Sequence, residues 1–392
     1  MGISVDSAYK SLNKFSEILC GDKVEILKTP DSDVIILADG MGSGVKANIL
    51  STLTTKILGT MFLNGAPLEE CLETIVQTLP ICQVRQVAYS TFSILQVFEN
   101  GDAYLAEFDN PGCIFIRDGR VMDIPQNTRI IKDKTINEYR FKVRTGDVMI
   151  LMSDGTIHAG VGRLWHFGWE WSEIAAFAAR QCEREVSSIR LASAICGACE
   201  ELYQYRPGDD TTVAVMRIIE RRTVHLMTGP PMDRDDDGRI VEAFMAGGDV
   251  KRIVSGGTSA TILSRILGRR LAVSIDYYDP DIPPTASMEG IDLVTEGVLT
   301  LNRVVSLLTR YVENKDVGRG FFEELDRKNG ASLIARILIE DCTDLHMFVG
   351  RAVNGAYQSS GTLFELGVRQ NLVNRLKELA EKMGKTVTVT YY

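Results

Sequence analysis

Hydrophobic and polar positions follow two different rhythms along the chain, and the change falls near residue 220. Before it, short apolar runs bounded by turn residues predict strands. These runs are VEIL, DSDVIILADG, TFSILQVFE, DAYLAEF, CIFIRDGRVMDI, EYRFKVRTGDVMILMSDG and TTVAVMRIIE. Asp118-Gly119 predicts a two-residue hairpin. Helical patterns cover residues 46–65 and 67–83, and residues 169–205 fit two further helices. We therefore predict an α+β layered domain over residues 1–220.

The second rhythm begins around Ile219–Thr223, where strand and helix patterns start to alternate regularly. TVHLMTG precedes RIVEAFMAGG, VKRIVSGG precedes TSATILSRILG, and IDLVTEG precedes LTLNRVVSLLTRYVEN. This alternation is typical of βαβ units around a largely parallel sheet. We predict a Rossmann-like α/β domain over residues 223–392, with a regulatory or ligand-binding role, and the basic pair Arg221-Arg222 at the junction.

Composition narrows the classes of protein that this chain can represent. Its 392 residues suit two domains, and 45% apolar and 24% charged residues are ordinary for a globular protein. No apolar run approaches the roughly 18–20 residues of a membrane span, and the N-terminus lacks the apolar segment of a signal peptide. We therefore expect a cytoplasmic protein without membrane association. The net charge of −9 argues against a nucleic-acid partner.

Three acidic clusters are the candidate chemical groups. Asp39-Gly40, Asp154-Gly155 and Asp209-Asp210 each lie at the edge of a strand-like apolar run. Carboxylates that converge at one sheet edge repel each other unless cations lie between them, and oxygen-only ligands select Mg²⁺ or Mn²⁺. The alternative is that each Asp-Gly is only a turn, which we prefer for Asp118-Gly119 and Asp237-Gly238. For the three clusters together we prefer metal binding.

The order and context of these motifs resemble the metal-dependent serine/threonine phosphatases of protein phosphatase 2C type. They resemble most closely the bacterial branch typified by the sporulation stage II protein E phosphatase. The resemblance covers about residues 10–220 and rests on an ordered set of segments: Gly21-Asp22, Ala38–Ala47, Phe108–Val121, Met152–Gly155 and Gly208–Val215. It implies an α-β-β-α sandwich with two Mn²⁺ or Mg²⁺ ions at one end.

The resemblance also implies a role for each carboxylate. Asp39 would bridge both ions, and the carbonyl of Gly40 would ligate the second ion. Asp154 and Asp209 would hold the first ion, while Asp22 would contact an ion through its bound water. Asp39, Asp154 and Asp209 are therefore the expected catalytic set.

Some positions depart from the eukaryotic pattern or lie outside the direct ligand set. Asp210 would order its loop as a hydrogen-bond partner of the ligands.

Met41 follows the first Asp-Gly, where eukaryotic relatives carry a histidine that is a candidate proton donor. A thioether cannot donate a proton. No clear phosphate-binding arginine is present. Lys46 or Arg85 is a substitute, although a solvated surface charge is the preferred interpretation of either.

The second domain contains one candidate ligand loop, in RIVSGGTSATILSRIL. A strand runs into Gly256-Gly257, and Thr258-Ser259 open a helix, which suits an anion at a helix N-terminus. The alternative is an ordinary βα turn with a Thr or Ser N-cap. Glu296, after another strand, would oppose an anion if it lies nearby, and its proximity would favour a ribose hydroxyl or a cation.

The sequence leaves three functional hypotheses. The first is Mn²⁺- or Mg²⁺-dependent hydrolysis of phosphoserine or phosphothreonine on a regulatory protein, modulated by the C-terminal domain through a small anionic ligand or a protein partner. The second is a ligand-sensing or scaffold protein that keeps the phosphatase fold as a framework. The third is a small-molecule phosphoester hydrolase with the same site. The intact aspartate set favours hydrolysis over the scaffold.

Overall fold

A computed structural model gives the chain two compact units, Met1–Glu220 and Arg221–Tyr392. No helix within the described part of the chain is both long and apolar enough to cross a membrane. The structure describes residues 3–78, 90–131, 134–162, 168–184, 186–273, 279, 281–313, 317–352 and 362–392.

The strands of the first unit form two antiparallel sheets. They are β1 (Ser4–Leu12), β2 (Asp22–Lys28), β3 (Ser32–Gly40), β4 (Ser90–Phe98), β5 (Asp102–Phe108), β6 (Ile114–Arg117), β7 (Arg120–Met122), β8 (Gln126–Ile131), β9 (Lys134–Lys142), β10 (Val148–Met152) and β11 (Thr211–Ile219). The first sheet has the order β1-β11-β10-β6-β7, and the second has the order β2-β3-β4-β5-β9-β8. Asp118 and Gly119 join β6 to β7 with positive φ angles of 50° and 72°, which confirms the predicted hairpin.

Helices cover the outer face of each sheet. They are α1 (Gly44–Leu63), α2 (Leu68–Thr78), α3 (Asp154–Ile157), α4 (Trp171–Cys182) and α5 (Ser188–Leu202). Leu58, Phe62 and Leu72 of α1 and α2 pack on the second sheet, while α4 and α5 pack on the first. A third apolar cluster, which includes Leu37 and Leu151, fills the space between the sheets. The predicted α-β-β-α sandwich is therefore confirmed, because each sheet buries both of its faces.

Three details of the strand prediction for the first unit are wrong, and one of them is that β8 was missed, because QNTRII is mostly polar and mostly exposed. The first strand, β1, was not predicted, because SVDSAYKSL is mostly polar and half-buried, yet it pairs along its whole length with β11. The run from Glu138 to Gly155 is not one strand, because β9 ends at Lys142 in the second sheet and β10 begins at Val148 in the first. A turn with Gly146 at φ 96° carries the chain between the sheets.

The second unit contains one mixed sheet with a parallel centre. Its strands are β12 (Thr223–Thr228), β13 (Val250–Ser255), β14 (Ala272–Val273), β15 (Ala286–Met288), β16 (Ile291–Thr295), β17 (Asp344–Val349) and β18 (Thr386–Tyr391). The order is β14-β15-β16-β13-β12-β17-β18, and β16, β13, β12, β17 and β18 are parallel neighbours. The predicted largely parallel sheet is therefore present, and the Rossmann-like assignment stays a prediction.

Helices link the parallel strands of this sheet. They are α6 (Asp237–Met245), α7 (Gly257–Leu267), α8 (Val298–Val312), α9 (Arg319–Leu325), α10 (Gly330–Glu340) and α11 (Thr362–Lys382). Apolar residues of α6 and α7 pack with Met227 and Val254 on one face. Asp237-Gly238 is not the predicted loop: it opens α6, and an acidic residue in the first turn favours that end of a helix.

We predict that residues 1–220 fold without the second unit. Every strand of both sheets lies in this segment, including β1, whose pairing with β11 connects the two ends of the segment. A fragment of residues 1–220 should be soluble and should unfold in one cooperative thermal transition, followed by circular dichroism. A disordered spectrum from this fragment, when the full chain is folded, would contradict the boundary.

Candidate active site

Two aspartates of the candidate site belong to neighbouring strands of the second sheet. Asp22 is the first residue of β2, and Asp39 is the last residue but one of β3. The antiparallel register pairs them directly, so their side chains leave the same end of the sheet. The amide of Gly40 donates to the carbonyl of Gly21 at 3.2 Å and continues this pairing. Residues 17 positions apart in sequence are thereby adjacent.

The other aspartates come from the first sheet at the same end of the sandwich. Asp154 opens the short helix α3 directly after β10, and Asp209 and Asp210 directly precede β11. The strands β10 and β11 pair with each other, so the two segments meet. We call Asp22, Asp39, Asp154, Asp209 and Asp210 the carboxylate cluster. The structure thus brings together all the aspartates that the sequence analysis selected for this site.

Ser153 connects the two halves of the carboxylate cluster across the sandwich. Its buried hydroxyl donates to Oδ2 of Asp22 at 2.7 Å and accepts from the amide of Thr212 at 2.8 Å. The amide of Ser153 donates to the carbonyl of Thr212 at 3.0 Å. One fully buried side chain therefore fixes β2, β10 and β11 relative to each other. The sequence analysis missed this role, since a serine within MSDG carries no local signal for it.

The glycines of the Asp-Gly pairs serve close backbone packing. A Cβ atom on Gly40 would lie 2.0 Å from the carbonyl oxygen of Ala47 in α1. A Cβ atom on Gly155 would lie 2.1 Å from the carbonyl oxygen of Asp210. Both separations are far below van der Waals contact, so no other residue fits at these positions. The glycines therefore allow α1 and the loop before β11 to close around the aspartates.

Burial and mutual repulsion disfavour the charged form of the central aspartates. Burial raises the pKa of Asp39, and the charges of Asp22 and Asp154 raise it further. Burial also raises the pKa of Asp22, against the hydrogen bond from Ser153 that lowers it. The pKa of Asp154 is raised by burial and by the charge of Asp209. In the absence of cations Asp22, Asp39 and Asp154 therefore favour proton uptake.

Two basic side chains that the sequence analysis did not select border the carboxylate cluster. Nζ of Lys14 lies 3.5 Å from Oδ1 of Asp209, and the amide of Lys14 donates to Asp210 at 2.9 Å. Nε2 of His158, one helical turn after Asp154, lies 3.9 Å from Oδ2 of that residue. The i,i+4 spacing of His158 was a usable signal, whereas Lys14 is nearly 200 residues from its partners. Lys46 is exposed on α1, and Arg85 lies outside the described residues.

The donor set of the carboxylate cluster fits hard divalent cations. Its side-chain donors are carboxylate oxygens, and Oδ1 of Asp22 and Oδ2 of Asp210 are buried without a hydrogen-bond partner. An unpartnered buried carboxylate oxygen is costly, and a cation or its bound water relieves that cost. Among the described residues, no three acidic, His or Cys side chains already lie close enough together to enclose an ion. The fit therefore rests on donor chemistry and on the unpartnered oxygens.

A family comparison covers the segment that contains most of this cluster. Residues 30–219 match the family described as Stage II sporulation protein E, abbreviated SpoIIE. The matched segment is 190 of the 392 residues, just under half of the chain, and it resembles the SpoIIE family. The first unit is accordingly a phosphatase domain of protein phosphatase 2C type. No curated protein sequence matches the chain.

Solved structures similar to the chain include several phosphatase domains. One is the PP2C phosphatase domain with a fragment of the regulatory domain of SpoIIE from Bacillus subtilis. It is 19% identical to this chain, with a TM-score of 0.47, and the match covers 56% of this chain and 63% of that one. The RsbU and RsbW domains of a Mycobacterium tuberculosis protein are 20% identical, with a TM-score of 0.47, over 62% and 68% of the two chains. RsbX in complex with magnesium is 17% identical, with a TM-score of 0.40, over 55% and 98%.

We predict that Asp39→Asn and Asp154→Asn each lower kcat of the SpoIIE-type domain by about 100-fold or more, the size of effect expected when a group that stabilises the transition state is lost. Without metal, Asp39→Asn should not lower the melting temperature, because it removes a charge that burial and neighbouring carboxylates disfavour. Steady-state kinetics at saturating Mn²⁺ and thermal unfolding measure the two effects.

The matched control for these variants is Asp118→Asn. Asp118 is also followed by glycine, but it is exposed on the β6–β7 hairpin and paired with Arg144. Its replacement should leave kcat unchanged. If Asp39→Asn or Asp154→Asn retained nearly wild-type kcat, that residue would not be a metal ligand.

Proposed function

We propose that the chain hydrolyses phosphoserine or phosphothreonine on a regulatory protein in a reaction that needs Mn²⁺ or Mg²⁺. The observation that supports this proposal is the carboxylate cluster, whose members come from both sheets and meet at one end of the sandwich. No purely structural role accounts for gathering repelling charges there. The SpoIIE family of residues 30–219 supports the same class of reaction.

Each residue has a proposed part in holding the ions. Asp39, the carbonyl of Gly40, Asp154 and Asp209 would ligate two divalent cations, and Asp22 would contact one of them through water. Two such cations, when bound, supply an activated water and neutralise the charge of the phosphoryl group. Ser153 orients Asp22, while Asp210 holds the backbone of Lys14. Asp154 and Asp209 are 45% and 37% exposed, which leaves the site open to substrate.

A metal-removal assay tests the proposed reaction. The full chain should release phosphate from a phosphothreonine peptide in Mn²⁺ or Mg²⁺, and excess chelator should abolish turnover, because the carboxylates alone repel a phosphate. Addition of Mn²⁺ beyond the chelator should restore the rate. Undiminished turnover in chelator would exclude the two-metal reaction. Folded protein that releases no phosphate in any divalent metal would favour a scaffold role instead.

Exposed apolar residues beside the site favour a protein substrate over a small phosphoester. Ile18 is 91% exposed, and Val45 and Ile49 of α1 are 61% and 59% exposed. The loop that carries Ile18 is held to α1, because Ser43 donates to Glu17 at 3.2 Å and Asn48 donates to the carbonyl of Cys20 at 2.8 Å. An apolar surface next to a catalytic end is typical of a site that binds another protein.

We predict that Ile49→Asp separates the two kinds of substrate. The variant should lower kcat/KM for a phosphorylated protein or long phosphopeptide, because it removes an apolar contact, and should leave kcat/KM for p-nitrophenyl phosphate unchanged. Leu63→Asp, the same kind of change at an exposed apolar position at the far end of α1, is the control. Equal kcat/KM of wild type and Ile49→Asp on both substrates would favour a small phosphoester as the substrate.

The second unit is proposed to modulate the phosphatase. A ligand or partner that binds one conformation of this unit better than another can shift activity only by that difference in affinity. Comparison of kcat/KM for the full chain and for residues 1–220 measures the modulation.

A further inference from the structure

Two helices of the second unit begin side by side at the carboxyl edge of the parallel sheet. The strands β13 and β16 are neighbours in register, with Ser255 opposite Thr295. Gly256 directly follows β13 and precedes α7, while Gly297 follows β16 after Glu296 and precedes α8. The amide of Gly256 donates to the carbonyl of Thr295 at 2.8 Å, and a Cβ atom on Gly297 would lie 3.5 Å from Cα of Gly256. The glycines allow the two helix N-termini to approach each other.

Neither helix N-terminus is neutralised by a side chain of its own helix. The N-cap residues, Gly256 and Gly297, have no side chain, and neither helix has an acidic residue in its first turn. In α10 of the same unit, by contrast, Asn329 caps the helix by accepting from the amide of Ser332. The alternative of a Thr or Ser N-cap at the Gly256–Ser259 loop is therefore wrong, because Gly256 is the N-cap. Two adjacent sets of free N–H groups and two aligned dipoles favour an anion.

Both helices also carry a buried hydroxyl group without a partner at the same position. Ser259 and Thr300 are each the third residue of their helix, are 0% exposed, and make no hydrogen bond through the hydroxyl. Oγ of Ser259 lies 3.5 Å from the Cβ position of Gly256, so this hydroxyl faces the start of α7. A buried hydroxyl without a partner costs about 1–3 kcal/mol. A ligand oxygen at the N-termini would remove that cost.

The side-chain space of the two glycines is open, and polar groups line it. Among the described residues other than chain neighbours, an atom at the Cβ position of Gly256 would have only Oγ of Ser259 within 4 Å, at 3.5 Å. Within the same described set, an atom at the Cβ position of Gly257 would have only the carboxylate of Glu296 within 4 Å, at 3.7 Å. The space above the loop is therefore bordered by a hydroxyl group on one side and a carboxylate on the other.

Glu296 determines which anion this crevice accepts. The hydroxyls of Ser255 and Thr295 donate to its carbonyl oxygen at 2.9 and 3.0 Å, so its backbone is fixed while its side chain is exposed. A carboxylate this close repels an isolated anion. It accepts hydrogen bonds from sugar hydroxyls, as acidic residues at strand ends of nucleotide-binding folds do. The crevice therefore suits a ligand with both a phosphate and neighbouring hydroxyls.

We propose that this crevice binds a phosphorylated ribose of the nucleotide kind. The phosphate contacts the amides of α7 and α8 and the hydroxyl of Ser259, and the ribose hydroxyls donate to Glu296. The described residues of this site lie within the second unit, so ligand binding can be measured without any phosphatase substrate.

Calorimetry with the full chain tests the proposal, using AMP, adenosine and inorganic phosphate as probes. AMP should bind with a Kd of about 1 mM or tighter, and adenosine and inorganic phosphate should each bind at least about tenfold more weakly. Gly257→Val should abolish AMP binding, because its branched side chain fills the open space. Gly238→Val, in the first turn of α6 with open space around it, is the matched control and should bind AMP normally.

Two further variants separate a ligand site from a structural one. Glu296→Gln should weaken AMP binding about tenfold, because a charged hydrogen-bond acceptor is lost, while inorganic phosphate binds equally or more tightly. Ser259→Ala should leave the melting temperature of the free protein unchanged or raised, and should weaken AMP binding. No AMP binding to the wild type, equal AMP binding by Gly257→Val, or a fall in phosphate affinity in Glu296→Gln would overturn the proposal.

Discussion

Electrostatic repulsion within the carboxylate cluster is the constraint on which the first unit depends. Burial raises the pKa of Asp39 and Asp22, so the fold holds acidic groups in an environment that opposes their charge. The energy that keeps them there comes from elsewhere in the sandwich, chiefly the apolar layer between the sheets and the helices on both faces. Such an arrangement is stable only while that packing outweighs the repulsion, and cations would relieve it.

The packing around the cluster leaves little freedom in the backbone. Gly40 and Gly155 touch carbonyl oxygens of other segments, and Ser153 bonds to both sheets. These contacts hold the aspartates in place although the charges oppose one another. Ser153, Gly40 and Gly155 thus fix the backbone around the aspartates, and Asp22 and Asp210 add hydrogen bonds of their own.

The ends of the sheets carry charges of opposite sign in the two units. In the first unit, carboxylates at the ends of antiparallel strands favour the binding of cations. In the second unit, helix N-termini follow the parallel strands β13 and β16, and their dipoles favour an anion. The difference follows from topology, because only parallel strands joined by helices place several helix N-termini at one sheet edge. In the proposed ligand site, the charge of Glu296 disfavours an isolated anion.

The sequence by itself determined the sandwich of the first unit and the largely parallel sheet of the second, and it selected the aspartates of the candidate site. Apolar runs, turn residues and ordered Asp-Gly motifs are local features, so they can be recognised in the sequence alone. Tertiary structure decided the strand pairings and side-chain contacts that join residues far apart in sequence. The polar segment β1 is a strand because it pairs with β11, and the run Glu138–Gly155 is divided between two sheets. Lys14 lies beside Asp209 for the same reason. Tertiary structure also set Glu296 beside Gly257, since the register of parallel strands is fixed by packing across the whole sheet and not by any short segment.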